Sequence, residues 1–310
     1  MLIQKFPELD TFRDLTERFN VIPVCVEALA DTETPVSLLK KLYADQGPAF
    51  LFESVEGGER WGRYSFLSGS ARTQVRIFAE YVEIQEEAAF RQIPHHGDPL
   101  SVLRHLMARF NPADLPNLPR FWGGLVGYMT YEMVSFFEAV PNKLPEDRPI
   151  AHFIIPDELL VFDNIKNTLL GIVIAFTEGS RDTDRIYRKA RERLNLLMGE
   201  MSTCLSDINT APGHPLTLSS SVSDQAYRDM VTRTKAYIVA GDIIQSVISQ
   251  PFSCAPAPDL WTLYRAQRFV NPSPYLFFLH LDDTALVGSS PETMVRLENR
   301  IATLRPIAGT

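Results

Sequence analysis

The sequence predicts an α+β protein: antiparallel sheets packed as a sandwich, with helices on the outside. Three observations carry this. Strand-like segments follow one another in runs, without the helix between each pair that a parallel sheet requires. The stretch "TQVRIFAEYVEIQ" (residues 73–85) alternates apolar and polar residues around a short turn, the pattern of an antiparallel hairpin. No G-x-G-x-x-G turn is present, which removes the usual marker of a Rossmann-type fold.

Taken in order, the first helix opens at Thr34-Pro35. Thr34 can cap, Pro35 suits the first turn, Leu38, Leu39, Leu42 and Tyr43 form one apolar stripe, and Gly47 stops it. "AFLFES" (residues 49–54) then reads as a buried strand and "VEGGER" as the loop after it. Proline-rich stretches at 94–99, 112–119 and 141–156 break the middle of the chain into short pieces. A long helix is expected from about Thr183 to Met201, with Ile186, Tyr187, Ala190, Leu194 and Leu197 on one face. "SDINTAPGHPLTLSSSVSD" (residues 206–224) has no periodicity and reads as a linker. A second helix spans roughly Asp224 to Ala240 and closes at Gly241. Strands are expected at Ile243–Ser249, Tyr275–Leu281 and Ala285–Ser289, and a hairpin in "MVRLENRIATL" turning near Glu298-Asn299. The organisation that follows is an N-terminal region at 1–205, a linker at 206–223 and a C-terminal region at 224–310.

At 310 residues the chain can bury a sizeable core as two domains or one large one. A formal charge of -8 argues against nucleic acid or an anionic membrane surface as the main partner. Cys25, Cys204 and Cys254 lie far apart and in no paired motif, so a disulfide framework and a zinc site are not expected. The N-terminus lacks the apolar stretch of a signal peptide, and no segment approaches eighteen uninterrupted apolar residues. A soluble, cytoplasmic protein is the expectation.

Candidate chemistry is concentrated near the C-terminus. The six histidines show no metal-ligand spacing, and "WGGLVGYMTYE" (residues 122–132) has no Lys-Ser/Thr to hold a phosphate; its glycines read as close backbone packing or a tight turn. In "NPSPYLFF" (residues 271–278) two prolines pre-order the approach to a strand, which serves either a rigid strand entry or a ligand contact. "VGSSPE" (residues 287–292) reads equally as a turn with self-satisfied hydroxyls or as part of a site. "LRPIAGT" (residues 304–310) turns after a strand and then offers backbone N–H groups and a hydroxyl almost free of side chains.

Together these pieces are recognisable. "GDIIQSVISQPF" (241–252), "NPSPYLFFL" (271–279), "VGSSPETMVR" (287–296) and "RPIAGT" (305–310) occur in one order and spacing, and they resemble the chorismate-utilising enzymes, most closely the anthranilate synthase large subunits. "FLFES", "GRYSFL" and "WGGLVGYMTYE" look like the N-terminal region of the same subunits. The resemblance implies an enzyme that uses Mg²⁺ while ammonia from a glutamine amidotransferase partner (component II) attacks chorismate, giving anthranilate and pyruvate. It implies chorismate contacts at Gly309 and Thr310, and a tryptophan feedback site at Ser54, Pro274, Tyr275 and Leu276. It implies further that the chain is cut inside the active site, with metal ligands and catalytic residues beyond Thr310 and no activity in 1–310 alone.

Ala308 stands where the related aminodeoxychorismate synthases usually carry a lysine nucleophile, which favours direct addition of ammonia. The alternatives are an aminodeoxychorismate synthase component I and a tryptophan-binding module without catalysis. Two departures from the family pattern, Ser246 and Pro251, fall on the strand expected at 243–252; the proline removes a ladder donor, so that end is an edge or a terminus.

Overall fold

The computed structural model describes residues 1–43, 47–54, 62–86, 89–178, 182–201 and 215–307. In chain order the elements are β1 (Leu2–Phe6), α1 (Leu9–Thr16), β2 (Val21–Leu29), α2 (Pro35–Leu42), β3 (Ala49–Glu53), β4 (Tyr64–Ser68), β5 (Thr73–Ile77), β6 (Tyr81–Glu86), β7 (Ala89–Pro94) and α3 (Pro99–Met107). There follow β8 (Val126–Met129), a 3-10 turn at Tyr131–Phe136, β9 (Ala151–Ile155), β10 (Glu158–Asp163), β11 (Thr168–Phe176), α4 (Thr183–Glu200), β12 (Ser219–Ser220) and α5 (Asp224–Ala240). The last elements are β13 (Phe252–Ser253), α6 (Leu260–Val270), β14 (Tyr275–Leu281), β15 (Thr284–Ser290), β16 (Arg296–Glu298) and β17 (Ile301–Thr303).

The ladders are antiparallel. Eight strands form one sheet in the order β1-β2-β11-β10-β4-β3-β14-β15, and five form a second in the order β7-β6-β5-β9-β8. Period-two alternation divides the large sheet between two environments. One face (Leu51, Leu67, Leu160, Phe162, Phe278) packs with Leu38 and Leu39 of α2, Leu197 of α4 and Tyr264 of α6. The other (Phe50, Leu159, Val161, Ile172, Leu279) packs against Val126 and Ile154 of the five-stranded sheet. The far side of that second sheet is covered by Leu103 and Leu106 of α3. The result is a sandwich with helices on its outer faces, as expected. Each fully buried Leu or Ile in these layers contributes about 1.5–3 kcal/mol.

Local signals account for the helices. Thr34 and Ser37 form a reciprocal capping box at α2, with Pro35 in the first turn. Asp182 caps α4, whose buried residues are Ala190, Leu194 and Leu197. Ser223 caps α5, and Gly241 closes it in the left-handed region at φ 84°. The final hairpin turns through Asn299 and Arg300, both at positive φ, one residue from the expected position. Gly127 is required by close approach: a Cβ there would lie 1.9 Å from the carbonyl oxygen of His152 on the neighbouring strand.

One expected strand is not formed. Residues 243–249 make no ladder among the described residues, and Ile244 is 94% exposed. A strand exists only with a partner; the pairing here begins after Pro251, where Phe252 and Ser253 meet Ser220 and Ser219. The expected loop at 55–60 and the first part of the linker, 206–214, lie outside the described residues. Strands β14 and β15, from the C-terminal region, add to the large sheet through β3.

Candidate functional site

The ladder between strands β3 and β14 brings "FLFES" and "NPSPYLFF", more than 200 residues apart, to one place. It pairs Glu53 with Leu276 and Phe52 with Phe277. One step further, Ser54 falls opposite Tyr275, and Pro274 leads directly into that strand end. The sequence-predicted residues Ser54, Pro274, Tyr275 and Leu276 are therefore brought together. Alternation then separates them by face. Leu276 is buried in the cluster that contains Leu51, Tyr264 and Phe278, beneath the helices, while Ser54 and Tyr275 share the opposite side. The Ser54 hydroxyl is buried and has no hydrogen-bond partner among the described residues. It is not satisfied by its own strand, the simplest fate for such a serine.

Beside it lies a polar knot that sequence reasoning missed. Glu53, 5% exposed, accepts a 2.5 Å hydrogen bond from the Tyr264 hydroxyl and one of 3.2 Å from Arg268 Nε, both on α6. Burial first, and then the Glu53 carboxylate, push the Tyr264 phenol far above its ordinary pKa, so it remains a donor. A signal was available: an acid inside an otherwise apolar strand demands a partner, and Tyr264 and Arg268 stand four apart on one helix face. The knot ties α6 to the strand that ends in Ser54.

The serine-rich segments prove to be bonded to each other. Ser289 Oγ donates to the carbonyl of Asn271 at 2.8 Å, and Ser273 Oγ donates to the carbonyl of Ser290. Ser290 Oγ donates to the Glu292 carbonyl and accepts from the Glu292 N–H. These hydroxyls hold the "NPSP" and "GSSPE" turns together. The Glu292 carboxylate accepts the N–H of Ile307 at 3.0 Å, fixing the start of the segment that leads to Gly309. Ala308, Gly309 and Thr310 themselves lie outside the described residues.

Among the described residues no group of three or more His, Cys, Asp or Glu side chains is arranged to hold a metal ion. No described residue is therefore assigned to magnesium. Nor is any described helix long and apolar enough to cross a membrane. His152 is buried next to Asp282 (3.9 Å), and the Gln74 amide, with its nitrogen turned inward, bridges the two at 3.2 Å. Burial lowers the imidazole from 6.5 to about 4, against an opposing pull from Asp282. The unfolded chain thus takes up a proton between those values that the folded chain refuses. The His152 contribution to stability is expected to be complete above pH 6.5 and to fall by on the order of 2–3 kcal/mol as the pH drops through 4. Urea denaturation at pH 7 and pH 4.5 checks this: the loss in the parent should be visibly smaller in His152→Gln.

Comparison with known proteins gives this geometry its context. A family described as chorismate binding enzyme matches residues 55–310. The chain is 36% identical to anthranilate synthase component 1 of Acetivibrio thermocellus over 98% of this chain and 63% of that protein. Against the component 1 of Pseudomonas aeruginosa it is 37% identical over 94% of this chain and 60% of that one. The chain thus spans about three fifths of the length of these relatives. Its fold is that of anthranilate synthase component I from Streptococcus pneumoniae TIGR4, with a TM-score of 0.65 and 24% identity, covering 89% of this chain and 60% of that one. The match runs from just past Ser54 through both proline- and serine-rich turns to Thr310, and so the chain belongs to the chorismate binding enzyme family.

Proposed function

We propose that the protein is a component I anthranilate synthase, joining ammonia to chorismate with loss of water and pyruvate to give anthranilate. The observation that carries this reading is the 36–37% identity to component 1 sequences along nearly all of this chain. Ala308 supports direct ammonia addition, because it offers no amine to attack the ring. In this reading Gly309 and Thr310 present backbone N–H groups and a hydroxyl to the dianionic substrate, Mg²⁺ offsets its charge when bound, and Glu292 fixes the approach to that segment. Ammonia comes from a glutaminase partner, component II, and the reaction takes place in the cytoplasm. Residues 1–205 form the regulatory region, 206–223 the linker, and 224–310 the beginning of the chorismate-binding region.

Tryptophan is the proposed feedback ligand. Ser54 and Tyr275 face it, Pro274 fixes the turn, and Leu276 seals the strand from behind. Product analysis tests the synthase reading. With chorismate, Mg²⁺ and excess ammonia, the intact subunit is expected to form anthranilate in step with pyruvate; 4-amino-4-deoxychorismate without anthranilate would assign it to the other branch of the family.

A further inference from the structure

A cavity of about 310 Å³ lies where the two sheets meet, and neither Ser54 nor any of residues 304–307 is among its lining. Its walls are Phe110, Trp122, Ile155, Ile174 and Phe176, with Arg120 the only charged residue among its lining. Phe110 and Phe176 meet edge to face at 5.6 Å. The backbone at its base is already committed: Val21 N–H donates to the Asn111 carbonyl, and the Val21 carbonyl accepts from Ala113 N–H. Apart from Arg120 the lining is largely aromatic and aliphatic, which favours a ligand with an apolar ring over a sugar or a nucleotide. Its volume is at the small end for ligand sites.

We propose that this cavity is a second small-molecule site, which takes a monocyclic aromatic carboxylate with its ring among the aromatic walls and its carboxylate on Arg120. The edge-to-face preference of aromatic pairs suits a ring in this space. A guanidinium at the mouth matches a carboxylate in both charge and geometry.

Arg120 is now engaged by the last hairpin: it donates to the Leu297 carbonyl and pairs with Glu298 at 2.9 Å. That ion pair is exposed and so is weakly held. Glu298 also pairs with Arg296 at 2.7 Å, so it keeps a cation when Arg120 turns to a ligand. The ligand carboxylate and Glu298 therefore compete for one guanidinium. The inference does not rest on the activity proposed above.

Calorimetric titration of the chain with 3-phenylpropionate tests it, with 3-phenylpropionamide as the uncharged counterpart. The acid should bind saturably at one site, and the amide at least tenfold more weakly. Arg120→Gln should weaken the acid about tenfold or more, whereas Glu298→Gln, which frees Arg120, should tighten it about two- to fivefold. Gly123→Val should abolish binding by pushing the Ile174 methyl, 2.9 Å from the added Cβ, into the empty space. Ser54→Phe should leave it unchanged, since that position belongs to the other site. Thermal melts confirm that each variant is folded. No saturable binding by the parent, equal affinity for acid and amide, or acid binding that ignores both Arg120→Gln and Glu298→Gln would overturn the proposal. So would loss of binding in folded Ser54→Phe.

Discussion

Tyr264→Ala is expected to lower stability by about 3–5 kcal/mol, the range for truncating a large buried aromatic residue. Tyr264 is wholly buried, packs edge to face on Phe278 at 5.9 Å, and joins the cluster beneath α2, α4 and α6. Truncation removes the ring from that cluster and leaves the buried Glu53 carboxylate with Arg268 as its remaining partner in the knot. Arg268 is 39% exposed and shares its charge with water, so it compensates weakly. Tyr264→Phe separates the two contributions. It keeps the ring and loses only the hydrogen bond, for about 1–3 kcal/mol. Urea denaturation followed by circular dichroism measures both. If Tyr264→Ala fell within 1 kcal/mol of the parent, the anchoring of α6 to the core and to Glu53 through Tyr264 would not be a stabilising contact.

The elements that were legible in the sequence are those whose signals are local. Thr34, Pro35 and Ser37 start α2 within four residues, and Ser223 and Gly241 bracket α5 although that helix buries none of its residues. The β5–β6 hairpin and the turn at Asn299 need only alternation and a residue that tolerates positive φ. Residues 243–249 look the same as a strand by composition and failed, because ladder pairing is a long-range property that no local pattern contains. The same limit applies to the site. Ser54 and Tyr275 were each singled out, but only the β3–β14 register sets them opposite each other, and the alternation that places Leu276 behind the strand follows from that register. The Glu53–Tyr264–Arg268 knot could not be read until the fold had brought Tyr264 and Arg268 of α6 within hydrogen-bond reach of Glu53, although an acid inside an apolar strand had announced the need for it.

Ser54→Phe is expected to reduce tryptophan affinity at least a hundredfold. The Ser54 hydroxyl is buried and has no partner among the described residues. A buried hydroxyl without a partner costs about 1–3 kcal/mol, and a ligand that meets it recovers that free energy on binding. Thr73 and Thr130 also carry unpaired hydroxyls among the described residues. Ser54 differs from them in lying at the end of β3, opposite Tyr275 and next to a turn rigidified by Pro272 and Pro274. Such a site is pre-ordered, so little conformational entropy is lost when a ligand enters. Phenylalanine at this position removes the hydroxyl and fills the space beside the Tyr275 ring, combining a lost polar contact with steric exclusion. Ser54→Ala removes the hydroxyl alone and should weaken binding only about tenfold, the equivalent of one ordinary hydrogen bond. Calorimetric titration with tryptophan resolves the two, with a thermal melt to show that each variant retains the parent fold. Parent-like tryptophan affinity in folded Ser54→Phe would place the ligand elsewhere on the molecule. Equal losses in the Ala and Phe variants would mean that the hydroxyl is recognised but that the space beside it is not part of the pocket.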